Sequence, residues 1–472
     1  MKKTLLIVLF ICTKILYSQN PEIDKIYHIK KLLTEFSENE AFSGTVLIAS
    51  KGESFFQESY GIANRDWNIK MENNTKFVIG SISKSMTSTL VVKLAQEKKL
   101  NLEDPILKYF PEFSAEKYKN ITIHHLISNT SGIPNYFLLD GWIKGNFNKY
   151  FSKEEFLKEI EKLDLFFEPG ESYHYSNSNY FLLSLIIEKV TNLPFEKAID
   201  KHLFFPLKME NTGVYHYDKI VKNLASGYRF SKNGGYRNQN YINYFLFNGA
   251  GNIYSTAEDL LKFEQLFYSD NYLNKTSKKI LFNPKYRNGW NVEEFKFGNE
   301  VLKNINYDGQ IEGYSTMLYR FPEENLTIIL LANNGIGYEA KKYIIESISK
   351  IIFLGKPKEK TPFFLALNKA VYEDNLDVAI ENFEKNKDKY SKHPELISDL
   401  AKQLSWSGLT EKAEKIYLFD HKLFPNDINL TFEIAEFYKE NNEIKKAIPF
   451  YKIVQKEYPE NNYINSMLKE KD

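Results

Sequence analysis

Phe77-Val78-Ile79-Gly80-Ser81-Ile82-Ser83-Lys84-Ser85-Met86-Thr87 is the stretch on which the reading of this chain turns. An alcohol is a poor nucleophile at neutral pH and needs a base within hydrogen-bond reach. Residues three apart on a helix are neighbours on one face, so Ser81 at a helix start and Lys84 one turn on can share a cleft. The apolar positions Ile82, Met86, Leu90, Val91 and Leu94 predict the buried stripe of that helix. A serine in the first turn also lies beside free backbone N–H groups, which favour the negative charge of an acyl-transfer intermediate.

The serine–lysine spacing alone is weak, because it recurs at Ser114/Lys117, Ser347/Lys350 and Ser466/Lys469. The copy at Ser347 falls in KKYIIESISKIIF, where Ile344, Ile345, Ile348 and Ile351 read as a core face and the serines as helix surface. What separates Ser81 is the order of further elements around it. Tyr175-Ser176-Asn177 follows the Pro169-Gly170 turn and precedes an apolar helix. A phenol there could relay a proton, but its ordinary pKa near 10 requires a cation such as Lys84 beside it. Asn177 would hold the lysine and a substrate carbonyl. With 32 tyrosines, Tyr-x-Asn also occurs at Tyr236/Asn238 and Tyr286/Asn288, so position in the chain again decides.

Taken together, FSGTVLIAS from Phe42, the block around Ser81, KKLNLEDPILKYFP, ITIHHLISNTSGIPNY, EPG with YSN, and GAGNIYSTAEDLLKF from Gly249 resemble the serine β-lactamase and penicillin-binding-protein-like family. The branch is that of class C β-lactamases, D-alanyl-D-alanine carboxypeptidases, D-aminopeptidases and related esterases. The likeness runs from about Ala41 to Asn334. It implies an α/β fold with an antiparallel sheet flanked by helices and an all-α subdomain. It also implies Ser81 as acylated nucleophile, Lys84 as its partner, and Tyr175 as general base or proton relay.

Where the family usually carries Lys-Thr-Gly or His-x-Gly, this chain has Tyr307-Asp308-Gly309. The glycine keeps a side chain from blocking substrate on that strand. The resemblance makes the backbone N–H of Gln310 the second oxyanion donor beside that of Ser81. Tyr307 offers a hydroxyl but no positive charge. A hydrogen bond to a charged group contributes about 1.5 to 3 kcal/mol, so its loss weakens recognition of a carboxylate by roughly 10 to 150-fold. Esters, amides or D-amino-acid peptides without a required carboxylate therefore rank above β-lactam drugs. The altered triplet also supports a second reading, a catalytically degenerate member that binds cell-wall fragments or proteins.

The composition agrees with a hydrolase that meets small or peptide-like partners. Its 62 basic and 61 acidic residues leave no electrostatic footprint for nucleic acid or anionic lipid. Residues 1–18 read as a secretory signal, with two early lysines and an apolar run from Leu5 to Cys12 too short to span a bilayer stably. A periplasmic or secreted location follows. Cys12 is the only cysteine, so the mature chain has neither disulfides nor a thiol nucleophile. The eight histidines lack zinc-ligand spacing, and neither a Gly-x-Ser-x-Gly elbow nor a phosphate loop is present; no metal or cofactor is expected.

Strands Gly44 to Ala49 and Ser54 to Tyr60 predict an opening hairpin, and Tyr314 to Arg320 with Leu326 to Ala332 a closing one in the same antiparallel sheet. Helical periodicity at Glu154 to Lys162 and Tyr180 to Val190 marks the inserted α subdomain, and the site is expected at the junction. A hydrolase domain over 22–356 is followed by a charged linker from Gly355 to Lys360 and by helices over 361–472. There Ala401, Ala413, Tyr417 and Pro425 recur 34 residues on as Ala435, Ala447, Tyr451 and Pro459, with Ala379 and Phe383 left of an earlier copy. This resembles tetratricopeptide repeats, which either present a face to a protein partner or pack on the catalytic domain.

Overall fold

The computed structural model describes residues 21–139, 149–297, 300–355 and 360–469. The expected signal at 1–18, and residues 356–359 of the linker, lie outside the described residues. Six strands form one antiparallel sheet: β1 (Gly44–Ser50), β2 (Glu53–Tyr60), β3 (Asn291–Phe297), β4 (Glu300–Ile311), β5 (Tyr314–Phe321) and β6 (Leu326–Ala332). Their order is β3-β4-β5-β6-β1-β2, so the first hairpin of the chain pairs with its last strand, Gly44 opposite Ala332 and Ser50 opposite Leu326. Both predicted hairpins are present. The strand pair β3–β4, which the sequence pattern did not delimit, completes the sheet on the side of the site.

Strand alternation gives the sheet two apolar faces. Leu47, Ala49, Leu318, Ile329 and Leu331 face one core, shared with α2 (Ile82–Gln96) and α3 (Asn177–Thr191). Val46, Ile48, Met317, Tyr319, Ile328 and Leu330 face the other, shared with α1 (Pro21–Glu38) and α4 (Tyr338–Leu354). Ile344, Ile345, Ile348 and Ile351 are buried there, so the second SISK is a core helix.

The C-terminal helices run α5 (Phe363–Tyr372), α6 (Leu376–Lys385), α7 (Pro394–Trp406), α8 (Thr410–Leu423), α9 (Ile428–Glu440), α10 (Ile444–Glu457) and α11 (Asn462–Lys469). The repeating alanines Ala401, Ala413, Ala435 and Ala447 are fully buried, and Tyr417 and Tyr451 fill the space between helices. Proline ends each second helix two residues on, Pro425 after Leu423 and Pro459 after Glu457. This region is not a separate body: Phe363, Phe364, Leu367, Ile397 and Leu400 share the core of α1, α4 and the back of the sheet. Polar clamps close the seam, with Asn368 donating to the Asn39 carbonyl at 2.9 Å and the Gly235 N–H to the Tyr372 carbonyl at 2.6 Å.

Candidate active site

Ser81 is the N-cap of α2, with Gly80 before it at φ +53°. That left-handed turn suits glycine, and a Cβ there would stand 2.8 Å from the Gln310 nitrogen. The Gln310 amide of β4 thus lies beside the loop that carries Ser81. The Ser81 N–H itself donates to no acceptor among the described residues.

The helix behind Ser81 is buried on every side, not along a stripe as periodicity suggested. Its polar residues account for the difference, since each finds a partner. Ser83 Oγ accepts from the Ile253 N–H at 3.2 Å, while Ser85 and Thr87 donate to the carbonyls of Gly289 and Gly249 at 2.5 and 2.7 Å. Burial of hydroxyls is tolerated when they are hydrogen-bonded.

Three predicted residues meet. Ser81 Oγ lies 2.5 Å from the Tyr175 hydroxyl and 3.0 Å from Lys84 Nζ. Lys84 is fully buried, and its Nζ also donates to the Ala250 carbonyl at 2.7 Å. Burial lowers its pKa well below that of an ordinary lysine, with the Asp308 charge opposing. The Tyr175 phenol is pushed the other way by burial, the Ser81 hydrogen bond pulling it back only in part. The shifts therefore favour a neutral amine beside a neutral phenol over a tyrosinate–ammonium pair. Lys84 sits over the Tyr175 ring, 4.8 Å from its centroid, and makes no hydrogen bond to the hydroxyl among the described residues.

Two expectations are corrected. Asn177 opens α3 and is buried, but it does not hold Lys84; the Ala250 carbonyl does. The sequence signal for that contact was present in Gly249-Ala250-Gly251: Gly249 has φ +70°, and a Cβ on it would meet the Tyr180 carbonyl oxygen at 2.5 Å. Gly309 is needed for more than substrate room, because a Cβ there would lie 2.0 Å from the Ile79 carbonyl oxygen and 2.5 Å from Thr316 Oγ1. Glycine lets β4 cross directly against the segment leading to Ser81.

A cavity of 250 Å³ opens on these groups, lined by Ser81, Tyr173, Tyr175, Arg287, Asn291, Tyr307, Asp308 and Gln310. β3 pairs with β4 only over 300–306, so among the described residues β4 from Tyr307 to Ile311 has no strand neighbour on the β3 side. A cation does line this cavity. Arg287 comes from the loop before β3, its guanidinium 5.2 Å from the Tyr173 ring centroid. Sequence reasoning missed it, although the chain uses only five arginines among its 62 basic residues. A second cation stands behind the strand: buried Lys341 of α4 donates to the carbonyls of Gly309 (3.3 Å) and Thr316 (3.2 Å) and lies 3.5 Å from Asp308 Oδ2. Among the described residues no cluster of His, Cys, Asp or Glu could hold a metal, and no helix is long and apolar enough to cross a membrane.

An antiparallel sheet with a helical subdomain, and a helix-borne serine between a buried lysine and a tyrosine at their junction, define a class: the serine hydrolases of β-lactamase type. Residues 29–347 match the family model described as Beta-lactamase, and the chain belongs to that family. It is 30% identical over 356 residues to penicillin-binding protein 4* of Bacillus subtilis, covering 71% of this chain and 77% of that one. A penicillin binding protein from Bacillus halodurans superposes with a TM-score of 0.57 at 25% identity, covering 67% of this chain and 98% of the other. The D-amino acid amidase of Ochrobactrum anthropi, at 20% identity and a TM-score of 0.62, shares the fold over 71% of this chain and all of its own length.

Proposed function

We propose that the chain hydrolyses a peptide-like amide or ester bond through an acyl-enzyme on Ser81. One observation carries this reading: Ser81 Oγ is held at once by a phenol at 2.5 Å and by a lysine at 3.0 Å whose burial favours the neutral amine. Neutral Lys84, keeping one N–H on the Ala250 carbonyl, takes the Ser81 proton as Oγ bonds to the carbonyl carbon. The N–H groups of Ser81 and Gln310 receive the oxyanion. The bond from the carbonyl carbon to the departing nitrogen or oxygen then breaks, and that atom takes up the proton from the Lys84–Tyr175 pair. Water then attacks the ester carbonyl, the acid is released and Oγ regains its proton.

The ranking of substrates changes with Arg287. Tyr307 was the ground for placing carboxylate-bearing substrates low, and Arg287 supplies a cation in the same cavity. D-amino-acid peptides with a terminal carboxylate therefore stand beside neutral amides and esters as the substrate class, as the similarity to a penicillin-binding protein also suggests. Secretion, expected from residues 1–18, goes with a reaction in the periplasm or outside the cell.

The test is intact-mass spectrometry after treatment with a fluorophosphonate, followed by peptide mapping, on the parent protein and Ser81→Ala. Labelling at Ser81 that disappears in the variant is the expected result. A folded parent that takes no label overturns hydrolysis and leaves the binding role.

A further inference from the structure

Beyond Gln310 the open edge of β4 runs into a second cavity of 250 Å³, lined by Phe137, Arg229, Ile242, Phe247, Gln310, Ile311, Glu312 and Trp406. Gln310 is common to this cavity and to the one holding Ser81, so the two adjoin along one strand. Four walls, Phe137, Ile242, Phe247 and Ile311, come from the hydrolase domain. Trp406 comes from the end of α7, in the C-terminal helices.

Trp406 is not needed where it stands to build the helical region. It is 52% exposed and lies outside both apolar cores, whereas its neighbours Leu400, Ala401 and Leu404 are buried in one. A large aromatic ring left half in water at the mouth of an apolar cavity presents a surface to a ligand. The preceding turn of the same helix is anchored to the hydrolase domain. Gln403 Oε1 accepts from Gln310 Nε2 at 3.0 Å and from Arg229 Nη1 at 3.3 Å. Its Nε2 donates to Asp399 Oδ1 at 3.4 Å, and Asp399 Oδ2 accepts the Glu339 N–H at 2.9 Å, at the start of α4. This chain of bonds ties α7 to Gln310, whose backbone nitrogen lies beside the turn that carries Ser81 and which shares the cavity with it.

We propose that the C-terminal helices complete the substrate site: Trp406 closes a subsite for an apolar side chain, aromatic or branched, on the substrate segment lying along β4 beyond Gln310, and Gln403 positions Gln310. The inference rests on the acyl-enzyme reading of Ser81. The volume suits it, since an apolar cavity of about 150 Å³ accommodates benzene. Closing one wall of such a pocket with an indole contributes selectivity for a bulky group but little for a small one.

The experiment uses the full chain and the variants Trp406→Ala and Gln403→Ala. Two p-nitrophenyl ester series are hydrolysed, one graded from acetyl to phenylpropanoyl and one of N-acylated amino acids graded from glycine to phenylalanine, with Ser81 labelling by a methyl-bearing fluorophosphonate as the reference. In the parent, kcat/KM is expected to rise with acyl bulk. Trp406→Ala should lose about tenfold on the bulky esters through KM, and stay within about twofold on the acetyl ester and on labelling. Gln403→Ala should lower kcat on every ester, because Gln310 loses its anchor. Equal selectivity in the parent and Trp406→Ala, with Ser81 labelled in both, overturns the subsite while leaving the acyl-enzyme reading intact. No labelling of the parent overturns both.

Discussion

Replacing Gly309 by alanine tests the geometry that joins β4 to the nucleophile. The new methyl would stand 2.0 Å from the Ile79 carbonyl oxygen, and ordinary contact begins at 3.4 Å, so the two segments must part by about 1.4 Å. Neither side yields freely. The Ile79 carbonyl already accepts from Thr316 Oγ1 at 2.8 Å, and the Ile79 N–H donates to the Ile253 carbonyl at 2.8 Å. Lys341 holds the Gly309 carbonyl from behind. A displacement of that size takes the neighbouring Gln310 N–H out of hydrogen-bond range of a carbonyl oxygen bound at Ser81, because a bond of about 2.9 Å does not survive stretching by 1 Å. Loss of one oxyanion donor lowers kcat by roughly 100 to 1,000-fold, or about 2.7 to 4 kcal/mol. The assay is the rate of Ser81 labelling together with kcat on an aryl ester, with a thermal melt to confirm folding. A folded Gly309→Ala protein that retains kcat within threefold of the parent would refute both the close crossing and the role given to Gln310.

Further outcomes follow from the same groups. With neutral Lys84 proposed as the base and its pKa lowered by burial, kcat/KM should rise with pH through that lowered value and level off well before the ordinary lysine range near pH 10; a midpoint at that ordinary value contradicts the assignment. Burial holds the Tyr175 proton, so no loss on the alkaline side is expected from it below about pH 10. Arg287→Ala should raise KM for peptides ending in a carboxylate by roughly 10 to 150-fold and leave neutral esters nearly unchanged, measured by competition between the two. Asp420 in α8 has both carboxylate oxygens buried without hydrogen-bond partners among the described residues, and burial, helped by Asp427, Glu395 and Glu433, raises its pKa to about 8. A raised acid keeps its proton in the fold and releases it on unfolding, so its contribution is full at low pH and declines as pH climbs from about 4 toward 8. Asp420→Asn should remove that contribution, read as a melting temperature that falls less between pH 5 and 8 than that of the parent.

Much of the fold lay in local pattern. The apolar runs at Gly44–Ser50 and Leu326–Ala332, the isoleucine face of Tyr338–Leu354 and the 34-residue alanine period are properties of short windows, and each marks an element that is buried. The motif order around Ser81 and Tyr175 likewise carried the family, because the chemistry needs those residue types at those places. Sequence by itself thus determined the outer hairpins, the main helices, the family and the residues that meet at Ser81.

Contacts made across hundreds of residues were decided only by the tertiary structure. The hold of Ala250 on Lys84, the demand of Ile79 for glycine at 309, the arrival of Arg287 in the cavity and the bond from Gln403 to Gln310 have no local periodicity to betray them. A hydrogen bond or a close backbone crossing depends on where two distant segments are brought by the cores that each helps to fill, and local pattern specifies which face is buried, not which partner waits there.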